Sequence, residues 1–221
     1  HVLTHEIMNS MTPISSLSST LKEKAEKLDQ RKEDPDTVYD LSEGLKIIEK
    51  RSLGLMSFVD NYKKINTLPV PEFRTVYLEE LFNRLKMLKQ EELLKKGILL
   101  KTDLKNPKLS LILDAGLIDQ VLINLVNNAA DSLAGCKNAS IHLWAERSGN
   151  KTLVLVKDNG TGIAEENLNK IFIPFFSTKK TGSGIGLSFS KQVMRLHRGN
   201  LSVKSITGSE TIFVLEFPAE N

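Results

Sequence analysis

The sequence predicts an α+β protein in two unequal parts: a long antiparallel helical hairpin, then a larger module that mixes strands and helices. Two observations carry this. Apolar residues recur at four-three spacing through residues 1–66, the period of a helical seam. Beyond a proline-containing break the texture changes to short β-branched runs set between amphipathic helices.

The seam runs through Leu3, Ile7, Ile14, Leu17, Leu21 and Leu28, pauses at "RKEDPD", and resumes at Val38, Leu41, Leu45, Ile48, Leu55, Val59 and Tyr62. Pro35 and its acidic neighbours suit a turn and a new helix start. Two amphipathic helices alone cannot cover both apolar stripes, whereas two hairpins make a four-helix bundle. A homodimer through residues 1–66 is therefore expected. "TLPVPEF", with Pro69 and Pro71, breaks the helix. The expected domains are 1–67, a linker at 68–75, and 76–221.

In the second part the pattern predicts a helix over 78–96, strands in "GILLKTDL" and "LSLILD", and a helix in "GLIDQVLINLVNNAADSLA". Strands "ASIHLWAE" and "KTLVLVKD" follow, then a glycine-rich segment, a helix over 185–196, and strands "NLSVKS" and "TIFVLEFP". Hairpin-like strand pairs with interspersed helices predict a sandwich, helices on one face of a mixed sheet.

Composition narrows the classes. With 221 residues, 40% apolar and 26% charged, the chain can bury one sizeable core plus a smaller element. Its 30 basic and 27 acidic residues give a net charge of +3, and no basic block is dense enough to make nucleic acid or anionic lipid the main partner. The single cysteine, Cys136, excludes an intrachain disulfide and fits a reducing compartment. No apolar run reaches about 18 residues, so no membrane contact is expected within this chain. A helix that begins only a few residues before an elaborate motif is expected to continue in a longer parent with membrane or sensor segments.

Four motifs carry chemistry. In "LTHEIMNSMTPI", His5 and Glu6 precede Asn9 and Pro13. A zinc-protease helix would need a second histidine where Asn9 stands, and a neutral amide is a poor zinc ligand. His5 lies off the apolar seam, on the exposed face. In "NLVNNAADSL", Asn124 and Asn128 are one helical turn apart; their oxygens suit a hard cation such as magnesium, or are satisfied within the fold. "KDNGTGI" places Asp158 at a strand end with Gly160 and Gly162, the pattern of a close ligand approach and equally of a surface turn. "TGSGIGLS" puts Gly182, Gly184 and Gly186 at the mouth of a helix, where free N–H groups favour anions. It matches neither a dinucleotide fingerprint nor a Walker loop. Between the last two, "IFIPFFSTKK" offers Phe172, Phe175 and Phe176 as the anchored base of a lid tipped by Lys179, or as three core aromatics.

The order of these motifs resembles the sensor histidine kinases of two-component signalling, across essentially all 221 residues. The resemblance implies a dimerisation and phosphoacceptor domain followed by a Bergerat-type ATP-binding domain. It implies His5 as phosphoacceptor, Glu6 as its proton acceptor, and Asn9 as the residue that places a water for dephosphorylating a response regulator. It implies ATP and Mg2+ as cofactors, with Asn128 as the magnesium ligand, Asn124 beside it on the phosphate side, and Asp158 as the adenine reader. Gly160 and Gly162 would leave room for the purine, Lys179 would meet the γ-phosphate, and Gly182, Gly184 and Gly186 would form the phosphate-side hinge. The chemistry implied belongs in the cytoplasm. Asp131 departs from the family's common pattern, so no phosphate contact is assigned to it, and His197 is expected to be a structural helix-end residue. Gyrase- or chaperone-like ATPases would share the nucleotide site but not the His5-Glu6 pair.

Overall fold

The computed structural model describes residues 13–21, 23–24, 39, 41, 43–50, 52–55, 69–179, 182 and 184–218. The chain divides into two compact units, His1–Asn66 and Thr67–Asn221.

Every described residue of the first unit is helical. Its two helical stretches touch where Leu21 lies over Gly44: a Cβ at Gly44 would fall 2.6 Å from Leu21 Cδ2. Leu45 and Leu53 remain exposed in the single chain. His5, Glu6 and Asn9 lie outside the described residues.

The second unit runs β1 (Arg74–Tyr77), α1 (Leu78–Lys95), β2 (Leu99–Leu104), β3 (Ser110–Leu113), α2 (Ala115–Ser132), β4 (Ser140–Ser148), β5 (Lys151–Asp158), α3 (Glu165–Leu168), α4 (Gly186–Leu196), β6 (Asn200–Ile206) and β7 (Glu210–Pro218). Five strands form a mixed sheet in the order β2-β4-β5-β7-β6, with β2 and β4 parallel and the other neighbours antiparallel. This is the α+β architecture with a mixed sheet that the sequence predicts.

Strand alternation explains the layering. Ile141, Leu143 and Ala145 on β4, Val154 and Val156 on β5, and Phe213, Leu215 and Phe217 on β7 share one core with Val121, Leu122, Leu125 and Val126 of α2. On the opposite face charged residues pair toward the strand ends: Lys151 with Glu216 at 2.9 Å and Lys157 with Glu210 at 2.6 Å. α1 stops where Gly97 turns the chain at φ 71°. There the Ile98 N–H donates to the Leu93 carbonyl and the Gly97 N–H to that of Leu94, both at 2.9 Å, a Schellman ending sealed by the buried Leu93 and Ile98.

Two elements have no counterpart in the sequence reading. β1 is a four-residue strand that pairs with β3, so its partner is far along the chain and its single buried residue, Val76, shows no period. α3 is one turn of helix, too short for a 3.6-residue repeat.

The entry to α2 is tied down firmly. Asp114 caps it by accepting the Leu117 N–H at 2.9 Å, and its other oxygen accepts the Glu72 N–H at 2.9 Å. Burial raises the Asp114 carboxyl, but the backbone donors at Leu117, Glu72 and Gly116 outweigh it and hold it below the usual range. The buried His197 donates from Nδ1 to the Val193 carbonyl, 2.8 Å away, and accepts the Asp114 N–H at Nε2 at 3.0 Å. Those two bonds join the end of α4 to the start of α2 through one imidazole.

Candidate functional site

Three pieces of chain converge on one cavity: the last turns of α2, the loop after β5, and the segment leading into α4. Its volume is about 600 Å³, within the range of small-molecule sites. Asn124, Asn128, Asp158, Gly162, Lys179, Gly182, Gly184 and Gly186 all line it. Gly160 stands just behind, its N–H donating to Asp158 Oδ1 at 3.0 Å.

At one end lies Asp158, only 3% exposed. It closes β5, opposite Thr211 of β7. Its Oδ1 accepts from Ser132 Oγ at 2.8 Å as well as from Gly160. Burial pushes the carboxyl above the usual range; the Ser132 and Gly160 hydrogen bonds oppose this, and Glu210 adds to it. The loop beyond requires a glycine: Gly162 has φ +67°, and a Cβ there would sit 2.3 Å from the Ile206 carbonyl oxygen.

At the other end α4 begins with no side-chain cap and its Gly186 and Leu187 line the cavity, a helix start of the kind that favours anions. Gly186 is a close approach between helices. A Cβ on it would lie 2.0 Å from Asn124 Oδ1, while Asn124 Nδ2 donates to Ser190 Oγ at 3.0 Å. Asn124 thus packs α2 against α4 as well as lining the cavity.

Across the mouth, Lys179 Nζ donates to Asn128 Oδ1 at 3.1 Å and to Asp131 Oδ2 at 2.6 Å. A cation already rests on these two side-chain oxygens, a donor set that also fits a hard divalent ion. Phe172 and Phe176 pack against the core and anchor the segment that carries Lys179; the Phe175 N–H donates to the Gly184 carbonyl at 2.9 Å, closing the loop on itself.

Ser132, Thr211, Ile163 and Phe213 also line the cavity and were not singled out from the sequence. Thr211 had a signal: it is the polar residue on a strand face otherwise formed by Phe213, Leu215 and Phe217, and it is buried. Ser132 had none, since its importance comes from where α2 ends in space.

Residues 113–221 match the family described as histidine kinase-, DNA gyrase B-, and HSP90-like ATPase. The catalytic domain of histidine kinase ThkA is 34% identical, with a TM-score of 0.61, over 66% of this chain and 95% of that one. ThkA in complex with response regulator protein TrrA aligns at 27% identity and TM-score 0.67, covering 99% of this chain and 62% of that one. The signal transduction histidine-protein kinase AtoS of Escherichia coli K12 is 27% identical over 97% of this chain and 33% of its own length. Residues 113–221 carry this ATPase domain, and with the ThkA catalytic domain 34% identical and covered to 95%, the second unit belongs to the histidine-kinase catalytic domains. It spans about a third of the length of the curated relatives it matches.

Proposed function

We propose that this chain is the ATP-dependent core of a sensor histidine kinase: a dimerisation and phosphotransfer domain over 1–67, a linker at 68–75, and a catalytic domain over 76–221. The observation that carries the reading is the two-ended cavity. A buried carboxylate, Asp158, stands at one end, and an uncapped helix start with Lys179 at the other. One ligand that satisfies both is a base bearing an amine, joined to a polyphosphate.

Asp158 accepts from the exocyclic amine of adenine, a charge-assisted bond of about 1.5–3 kcal/mol. Guanine would turn a carbonyl oxygen toward the same carboxylate, so ATP is preferred over GTP. The N–H groups opening α4 and the Lys179 ammonium take the phosphates. Asn128 would hold magnesium, with Asp131 as the neighbouring oxygen. The ion, when bound, neutralises charge on the phosphate oxygens.

His5 is the phosphoacceptor. A neutral ring nitrogen attacks the γ-phosphorus, the bond from that phosphorus to the β,γ-bridging oxygen breaks, and ADP leaves as the phosphoramidate forms. Glu6 takes the proton from the other ring nitrogen. The group then passes to an aspartate of a response regulator, a partner supported by the ThkA–TrrA complex. This chemistry places the kinase core in the cytoplasm. Asn9 positions the water of a regulator-phosphatase activity, so Asn9→Ala is expected to autophosphorylate normally but to dephosphorylate the regulator more slowly. An unchanged dephosphorylation rate would remove Asn9 from that role.

The site reading is tested by calorimetric titration with ATP. Asp158→Asn, which turns an amide donor toward the adenine amine, is expected to weaken binding by about 10- to 100-fold; unaltered affinity would refute the adenine assignment.

A further inference from the structure

We propose that Ser132, the last residue of α2, is a positioning residue for nucleotide selection: its hydroxyl ties back one oxygen of Asp158 so that the other is presented to the cavity as an acceptor. The inference rests on the adenine reading of Asp158.

Both hydrogen bonds to Asp158 fall on Oδ1, from Ser132 Oγ at 2.8 Å and from the Gly160 N–H at 3.0 Å. The same serine also holds the loop, because its carbonyl accepts the Thr161 N–H at 3.2 Å. One residue at the end of one helix therefore sets both the carboxylate and the turn beside it. The hydroxyl has a single hydrogen and two acceptors in reach, the second being the Ala129 carbonyl at 2.8 Å. An ionised carboxylate is the stronger acceptor and draws that hydrogen. With Oδ1 occupied twice, Oδ2 is the oxygen left to meet a donor on the ligand.

The charges around Asp158 make this donation matter. Burial favours the protonated acid, as does Glu210 at the start of β7, itself paired with Lys157 at 2.6 Å. On α2, Asp131 faces the same cavity but is engaged by Lys179. Ser132 and Gly160 supply the opposing hydrogen bonds. A protonated Asp158 would turn an O–H toward the adenine amine, donor against donor.

The test compares the parent chain with Ser132→Ala by calorimetric titration from about pH 5 to pH 9. The two ligands are ATP and purine riboside triphosphate, which is ATP without its exocyclic amine. The parent is expected to prefer ATP. Ser132→Ala is expected to bind ATP about tenfold more weakly near neutrality, to recover as pH rises, and to bind the amine-free analogue as the parent does. Unchanged analogue binding reports an intact cavity. Equal losses for both nucleotides, or an ATP affinity and pH profile identical to the parent's, would overturn the proposal while leaving the adenine reading in place. A parent chain that does not distinguish the two nucleotides would sink the adenine reading, and this proposal with it.

Discussion

Asp158 occupies a place where a sheet core would ordinarily take an apolar side chain, and its burial is a cost to the fold, offset under the proposed function by ligand recognition. That cost has a sign. A carboxyl whose folded-state pKa is raised contributes stability that is present below the unfolded value and lost as pH rises through the folded one. In the absence of nucleotide, Asp158→Asn is therefore expected to melt a few degrees above the parent near neutral pH. The difference should vanish below the ordinary aspartate range, near pH 4. Thermal melts across pH check this, and a pH-independent difference would contradict it. Asp158 and Gly162 were legible because an acid at a strand end followed by spaced glycines is a local pattern. Ser132 was not, because the bond that gives it meaning joins two elements distant in sequence.

Between elements, the contact of α2 with α4 governs the geometry of the cavity where α4 begins. Gly186 lets the first turn of α4 lie against Asn124, and Ser190 secures the amide. Gly186→Ala is expected to lower stability by about 1–3 kcal/mol, the range for overpacking a filled site. Adding Asn124→Ala should recover part of that loss, because the two changes share one space. Urea unfolding of the single and double variants measures the coupling; strictly additive losses would place the strain elsewhere. At this scale the long periodic elements were readable within a residue or two, since apolar spacing alone marks α1, α2 and the strands of the large sheet. β1 was not, because a four-residue strand is defined by its pairing with β3 rather than by a repeat. The His197 link was half legible. Its place at a helix end follows from the sequence, but its bond to Asp114 requires the fold.

In the whole molecule, a helical unit with exposed apolar residues accompanies a catalytic domain that carries the cavity. Leu45 and Leu53, exposed in the single chain, are the surface on which the proposed dimer rests. The chain is expected to sediment as a dimer, and Leu45→Glu to shift it toward monomer by placing a charge in an apolar seam. A parent that sediments as a monomer at all accessible concentrations would contradict the bundle. His5, Glu6 and Asn9 lie outside the described residues, and the role proposed for their motif depends on a neighbour that local periodicity cannot name. The central claim, phosphoryl transfer from ATP to His5, is tested most directly by incubating the chain with γ-labelled ATP and magnesium beside His5→Gln. The account predicts label on the parent that is lost in acid, kept in base, and absent from the variant. Label persisting on His5→Gln, or no label on a parent that measurably binds ATP, would contradict it.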